Sequence, residues 1–343
     1  MRTIDGSEGG GQLLRTALSL SVVTDAPFRI ENVRGSRPDP GLKPQHLAAV
    51  EVVADLCGAA VDGADLDSDT VTFRPGDDRR SAVATDIGTA GSVTLLFDTV
   101  LPIAVTTDEP LLLTVSGGTD VKWSPTVGYH RWVKLPLLSR WGLEADIDLL
   151  ATGFYPAGGG RAVLRTTPST LAPIELDRRG ALERVDVYST AAAVLEDRNV
   201  AARQAAHAKD ELEEAGFTTE VQRVAYPETR SPGSSLLLRG VYEHTMTGVD
   251  ALGERGRTSE AVAEGAVERF VALHETGAPV DEHMADQVMV FLALAGGRVR
   301  LPRVTDHVRT NLDLLAAFGG DIALTEHQDG SATLRASPHP AIE

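Results

Sequence analysis

The sequence contains a single cysteine, Cys57. No internal disulfide can form, so no disulfide partner is expected and nothing points to an oxidising compartment. Cys57 falls late in an amphipathic helix and reads as a small core residue. No apolar run reaches the roughly 18–20 residues of a membrane span. The start lacks the basic, apolar, small-residue pattern of a secretory signal. A cytoplasmic protein with no membrane partner is expected. Aromatic residues make up only 5% of the chain against 42% hydrophobic overall, so the core is built from Ala, Val, Leu and Ile. Lysine is nearly missing: Lys43, Lys122, Lys134 and Lys209 are the only four among 32 basic residues, and the net charge is −17. Such a balance argues against a diffuse basic surface for nucleic acid. It fits a halophile-like protein in concentrated salt, where the Debye length falls to about 3 Å and self-repulsion is screened. Residues 1–50 depart from the average, with six bases against five acids. That near-neutral segment is either the footprint of a phosphate site or a fluctuation of composition.

What is present is a recurring pattern: amphipathic helix, glycine stop, strand, turn, strand. It runs through 45–76, where Leu47, Val50, Ala54 and Cys57 share a helical face and Gly58 stands at the helix end. It returns over 132–168 and 308–338, with a looser copy at 211–224. The chain of 343 residues has room for two domains or for one with an insertion. The expected fold is α+β: a large domain of three similar helix/strand repeats covering sheets, with a smaller inserted α/β domain. The expected boundaries are 1–178 for the first two repeats, 179–276 for the insertion, 277–338 for the third repeat and 339–343 for a tail. No GxGxxG follows a strand, which argues against a Rossmann order.

The stretch Asp5-Gly-Ser-Glu-Gly-Gly-Gly-Gln-Leu-Leu-Arg15 sets a carboxylate, three glycines, an amide and a guanidinium at the mouth of a buried helix. Glycines expose backbone N–H groups, and a helix amino end favours an anion; a purely structural turn has the same composition. Arg34 and Arg37 lie in a Pro/Gly-rich loop and carry the planar fork that suits phosphate oxygens, or are simply solvated. Gln45 and His46 open the next helix. Gly88–Ser92 form a small-residue turn into a helix, a second anion mouth or a close-packing device. Asp98 lies farther along that helix, able to hold a ribose hydroxyl or a metal. His283, Asp286 and Gln287 fall within about one turn of an apolar helix, where an acid also suits the helix dipole. His307 opens the last helix, a position equally suited to a cap or a nucleophile. His130, His207, His244, His274, His327 and His339 show no metal-ligand spacing, and solvated or capping roles are expected of them.

IDGSEGGGQLLRTALSLS (4–21) closely resembles the opening of the RNA 3′-terminal phosphate cyclases, ATP-dependent RNA-end-modifying enzymes. VRGSRPDPGLKPQHL (33–47), DIGTAGSVTLLFDTVLP (86–102), DEHMADQVMVFLALAGG (281–297) and VTDHVRTNLDLL (304–315) are similar to further motifs of that family, in the same order. The resemblance covers 1–166 and about 278–336. It implies three repeats with a small inserted domain. It implies catalytic roles for His307, Glu8, Arg15, Arg37 and Asp286. It implies nucleotide contacts from Arg34, Gln45, Asp98 and the run His283, Met284, Ala285, Asp286 and Gln287. Where the family commonly has glutamine, this chain has Asp98, an acceptor in place of a donor-acceptor.

The resemblance further implies ATP and a divalent ion, magnesium or manganese, held by Glu8, and as partner an RNA with a 3′-terminal phosphate; it sets no oligomeric state. The implied chemistry adenylates His307, passes AMP to the RNA 3′-phosphate as RNA(3′)pp(5′)A, and closes a 2′,3′-cyclic phosphate. Two rivals remain at this point. One is a non-catalytic ribosome-assembly paralogue on the same scaffold, expected to lack the histidine. The other is an enolpyruvyl-transferase-like small-molecule enzyme built from similar repeats.

Overall fold

The computed structural model describes residues 1–342. Its first unit runs β1 (Arg2–Asp5), α1 (Gly10–Val23), β2 (Phe28–Glu31), α2 (Pro44–Cys57), β3 (Ala60–Asp62) and β4 (Val71–Arg74). The sheet order is β1-β2-β4-β3, with β1 parallel to β2 and the other pairs antiparallel. The second unit is β5 (Ala82–Asp86), α3 (Val93–Val100), β6 (Leu111–Gly117), an irregular helix, β7 (Ala145–Ala151) and β8 (Gly160–Thr166). That irregular helix comprises α4 (Val127–Tyr129), a π-helical stretch His130–Lys134 and α5 (Leu135–Ser139). The sheet order β5-β6-β8-β7 repeats the first.

The third unit starts with β9 (Ile174–Leu176) and is then interrupted. The interruption carries β10 (Leu182–Ala191), α6 (Val200–Glu214), β11 (Thr219–Ala225), β12 (Ser234–Tyr242), β13 (Met246–Leu252) and α7 (Ser259–Glu275). Afterwards come α8 (Glu282–Ala295), β14 (Gly297–Leu301), α9 (Asp306–Ala317), β15 (Ile322–Glu326) and β16 (Ala332–Ala336). Strand β9 pairs in parallel with β14, and the order β9-β14-β16-β15 is again that of the first two units. The repeat is therefore βαβαββ. The helix–strand–strand pattern legible in the sequence is its second half, and the third unit begins at β9 rather than after the insertion. The copy expected at 211–224 does form a helix and a strand, but in a sheet of different order, β11-β10-β12-β13.

Local chemistry explains the helices that frame the site. Proline at the start of α2 presets the helical φ, and Gly58 ends it at φ 62°. Helix α1 is buried on most sides and packs against α2, α3 and α9. Its Ser19 and Ser21 hydroxyls donate to the carbonyls of Thr99 and Ala26, so burial leaves them satisfied. Cys57 is buried in the same core. Period-two alternation seats the insertion: Leu236 and Leu238 of β12 face α6 and α7, while Leu237 joins the core of the large body. Trp132 stacks on Tyr188 across the junction, with centroids 5.3 Å apart.

Candidate active site

A cavity of about 770 Å³ opens where α1, α8, α9 and the loop before α2 meet. Its floor is the amino end of α1. Gly9 is the N-cap, no side chain caps the helix, and Gly10 sits at φ 57°. The unpaired N–H groups of a first helical turn attract anions. Gly10 is required by its positive φ, and Gly11 by the close approach of the His46 ring. A Cβ at Gly10 would stand 3.4 Å from the Arg37 guanidinium, and one at Gly11 would fall on His46 Nε2.

Arg15 lies about one turn farther along α1 and lines the cavity. Burial lowers its pKa, while Asp98 and Asp286 oppose that. Among the described residues, neither Arg15 nor Arg37 has a carboxylate within salt-bridge distance, so two guanidinium forks remain available to a ligand. Arg34 also lines the cavity, but its Nη1 donates to the carbonyls of Asp39 and Gly41, 2.7 and 3.1 Å away. Its first duty is to shape the loop. The Lys43 backbone N–H donates to His46 Nδ1 at 3.2 Å, which puts the proton of the neutral ring on Nε2, facing Gly11. Burial, then Arg15, Arg34 and Lys43, push the His46 pKa down to about 3, so it is a neutral donor.

The Gly88–Ser92 turn does not line this cavity. Gln45 Oε1 accepts the Ser92 N–H at 3.3 Å, and a Cβ at Gly91 would stand 3.1 Å from that of Gln45. Gly91 of this turn is closely packed, and Gln45 reaches the cavity from the same position.

Asp98 is not a bare acceptor. Its Oδ1 is 2.6 Å from His130 Nε2 and 2.5 Å from Lys134 Nζ. Lys134 also donates to Gln287 Oε1 at 2.8 Å. Burial alone would raise the Asp98 carboxyl, but Lys134 and His130 outweigh it and hold it below the usual carboxylate range. The solvated or capping role expected of His130 is therefore corrected: the residue is fully buried and bound to Asp98. The π-helical stretch carries His130 and Lys134 at its two ends and aims both at one oxygen; π segments recur at functional sites for this kind of re-aiming. Because Lys134 already neutralises Asp98, a metal has less reason to bind there, whereas Oδ2 can still accept a hydroxyl.

Helix α8 contributes His283, Asp286 and Gln287, which share the cavity face at spacings of three and four residues. Met284 and Ala285 point into the core, so the contact expected of the whole run 283–287 narrows to three residues. Gln12 Nε2 donates to Asp286 Oδ2 at 2.8 Å, tying α1 to α8. Burial raises the Asp286 pKa; Gln12, His307 and His283 pull it back. His307 projects from the first turn of α9, which Thr305 caps by accepting the Val308 N–H at 3.2 Å. Thr310 Oγ1 donates to the Asp306 carbonyl, and Asn311 is buried with its amide nitrogen unpartnered. Glu8 is exposed just outside the lining residues. Among the described residues it belongs to no group of three or more potential metal ligands. A single carboxylate of this kind fits an ion that draws its other ligands from phosphate oxygens and water.

The insertion reaches this site through β13. Asp250 Oδ2 accepts the Thr126 N–H at 2.7 Å, and its Oδ1 lies 3.2 Å from His283 Nε2. Buried Asp281 accepts from the Tyr129 hydroxyl at 2.6 Å and from the Gly248 N–H at 2.8 Å. Burial works against a charged His283, yet Asp250, Asp281 and Asp286 push its pKa up to about 9. The folded-state value exceeds the unfolded value near 6.5, so the contribution of this pair is complete below pH about 6.5 and is lost as pH rises through about 9. Urea midpoints are expected to fall across that window and to flatten in Asp250→Asn; an unchanged slope would remove the pair from the stability of the domain junction.

His130, Lys134 and Asp250 were not legible as site residues, and Gln12 and His46 were named only as members of their stretches, with no role. Lys134 carried one signal, a rare lysine inside the apolar run WVKLPLL.

Backbone amides, arginine forks and a histidine gather around one cavity on a three-unit βαβαββ scaffold. The family follows from comparison. The model of the RNA 3′-terminal phosphate cyclase family matches residues 6–322. A protein named RNA 3′-terminal phosphate cyclase from Halobacterium salinarum is 43% identical, over 98% of this chain and 100% of its own length. Proteins of the same name from Methanopyrus kandleri and Pyrobaculum aerophilum are 41% and 39% identical, each over 92% of both chains. The chain belongs to the RNA 3′-terminal phosphate cyclase family.

Proposed function

We propose that this protein uses ATP to convert an RNA 3′-terminal phosphate into a 2′,3′-cyclic phosphate through a covalent His307–AMP intermediate. The observation that carries the proposal is His307 on the wall of the same cavity as Arg15, Arg37 and the open amino end of α1. A ring nitrogen of His307 attacks the α-phosphorus of ATP, and pyrophosphate leaves. A 3′-phosphate oxygen of the RNA then attacks the phosphoramidate, freeing the imidazole and forming RNA(3′)pp(5′)A. The terminal 2′-OH attacks the 3′-phosphorus, loses its proton to solvent or a nearby base, and expels AMP.

Arg15 and Arg37, with the α1 amides, stabilise charge building on the phosphates. His46 Nε2–H adds a neutral donor. Asp286, held by Gln12, is the acceptor that orients the His307 ring. Asp98 Oδ2 accepts a ribose hydroxyl. Glu8 would hold magnesium or manganese, which supplies charge neutralisation at the phosphates when bound.

The non-catalytic alternative has no use for a histidine in this cavity. The direct test incubates the protein with ATP, a divalent salt and an oligoribonucleotide ending in a 3′-phosphate, in concentrated salt. Expected products are a cyclic end, AMP and pyrophosphate, with no reaction of a 3′-hydroxyl oligonucleotide. An unchanged 3′-phosphate in every divalent salt tried would refute the proposal.

A further inference from the structure

The mouth of the cavity carries a feature that the nucleotide chemistry does not use. Trp123 lines the cavity and is 95% exposed. Its backbone is at φ 64°, a left-handed conformation that a bulky residue rarely adopts. The loop around it is fixed on several sides. Lys122 pairs with Glu254 at 2.9 Å, Thr94 Oγ1 donates to the Pro125 carbonyl at 2.8 Å, and the Thr126 N–H is held by Asp250. The backbone is thus pinned while both faces of the indole stand free. Trp132 shows the contrast within the same chain: it is stacked on Tyr188 with Arg131 over its ring.

Resting on the proposed cyclase reading, we propose that Trp123 is the stacking platform for the 3′-terminal nucleobase of the RNA. Two observations favour the RNA base over the adenine of ATP. The cavity has its own apolar wall for a base, formed by Leu95, Pro102, Val290 and Phe291. The indole is not part of that wall and, being 95% exposed, lies on the solvent side of the lining. A third argument is electrostatic. A chain of net charge −17 with few lysines gains little from diffuse attraction to RNA, least of all in concentrated salt. Base–aromatic stacking does not depend on charge, and it accepts any base because every base has a π face. An end-modifying enzyme without sequence preference needs that property.

The test measures cyclisation of a 3′-phosphate oligoribonucleotide by wild type, Trp123→Ala and Trp123→Phe, and labelling of the protein by α-labelled ATP without RNA. Trp123→Ala is expected to raise KM for the RNA roughly 5- to 100-fold with kcat and ATP labelling kept, and Trp123→Phe to restore most of the loss. An oligonucleotide abasic at its 3′ end should be used equally poorly by wild type and Trp123→Ala. Wild-type KM in Trp123→Ala would overturn the platform while leaving the cyclase reading intact. A defect in ATP labelling instead would reassign the indole to the adenine. No cyclisation by wild type would be a failure of the cyclase reading itself.

Discussion

His307→Ala is expected to abolish covalent labelling by α-labelled ATP and to lower cyclisation by about 10⁴-fold or more, because the proposed intermediate is carried on its ring. The side chain is exposed on the first turn of α9, and the Thr305 cap that starts this helix does not depend on it. The variant should therefore keep wild-type unfolding behaviour and should still bind ATP, since the proposed phosphate contacts come from α1 and the arginines. Label on the wild-type protein should be acid-labile, as a phosphoramidate is, and should be discharged by an RNA 3′-phosphate but poorly by a 3′-hydroxyl. Undiminished label in His307→Ala would move the nucleophile elsewhere. Label that survives acid would rule out a histidine adduct.

Lys134→Met should destabilise the protein by about 3–5 kcal/mol, the usual cost of removing one partner from a buried ion pair. Lys134 is 1% exposed, and its amine serves both Asp98 and Gln287. Methionine keeps the length of the side chain, so the loss reports charge rather than volume. Asp98 would then keep His130 as its one hydrogen-bond partner, with Arg15 acting only through space. In the double variant Asp98→Asn/Lys134→Met most of the loss should return, because no uncompensated charge remains. Chemical unfolding of wild type and the two variants in concentrated salt measures this. A double variant no more stable than Lys134→Met alone would show that the lysine acts by packing.

Several parts of the site follow from short spacings. The glycine run ahead of Arg15, the 283/286/287 face of α8 and His307 at the start of α9 are local patterns, and local patterns survive into the fold. The repeat was half legible for the same reason: each amphipathic helix is followed closely by its two antiparallel strands. The first half of each unit was hidden because its two strands pair in parallel with a helix between them in sequence, so no turn joins them. In the third unit the insertion also separates β9 from its helix. Met284 and Ala285 were counted with the cavity because the resemblance implied contacts from the whole run 283–287, whereas helical spacing by itself groups only 283, 286 and 287.

By itself, the sequence determined the class of fold, the helix boundaries around the site, the order of the motifs and thus the family. Those are properties of neighbouring residues, written in periodicity, glycine and proline. Tertiary structure alone decided that Asp98 is neutralised by Lys134 and His130, that Gln12 holds Asp286, and that Asp250 of the insertion reaches His283. It also decided that Trp123 is left bare at the cavity rim. Each of these depends on how separately formed helices and sheets are brought together. A buried charge is tolerated only where packing delivers its partner, and nothing in the local sequence of Asp98 names the lysine that would arrive.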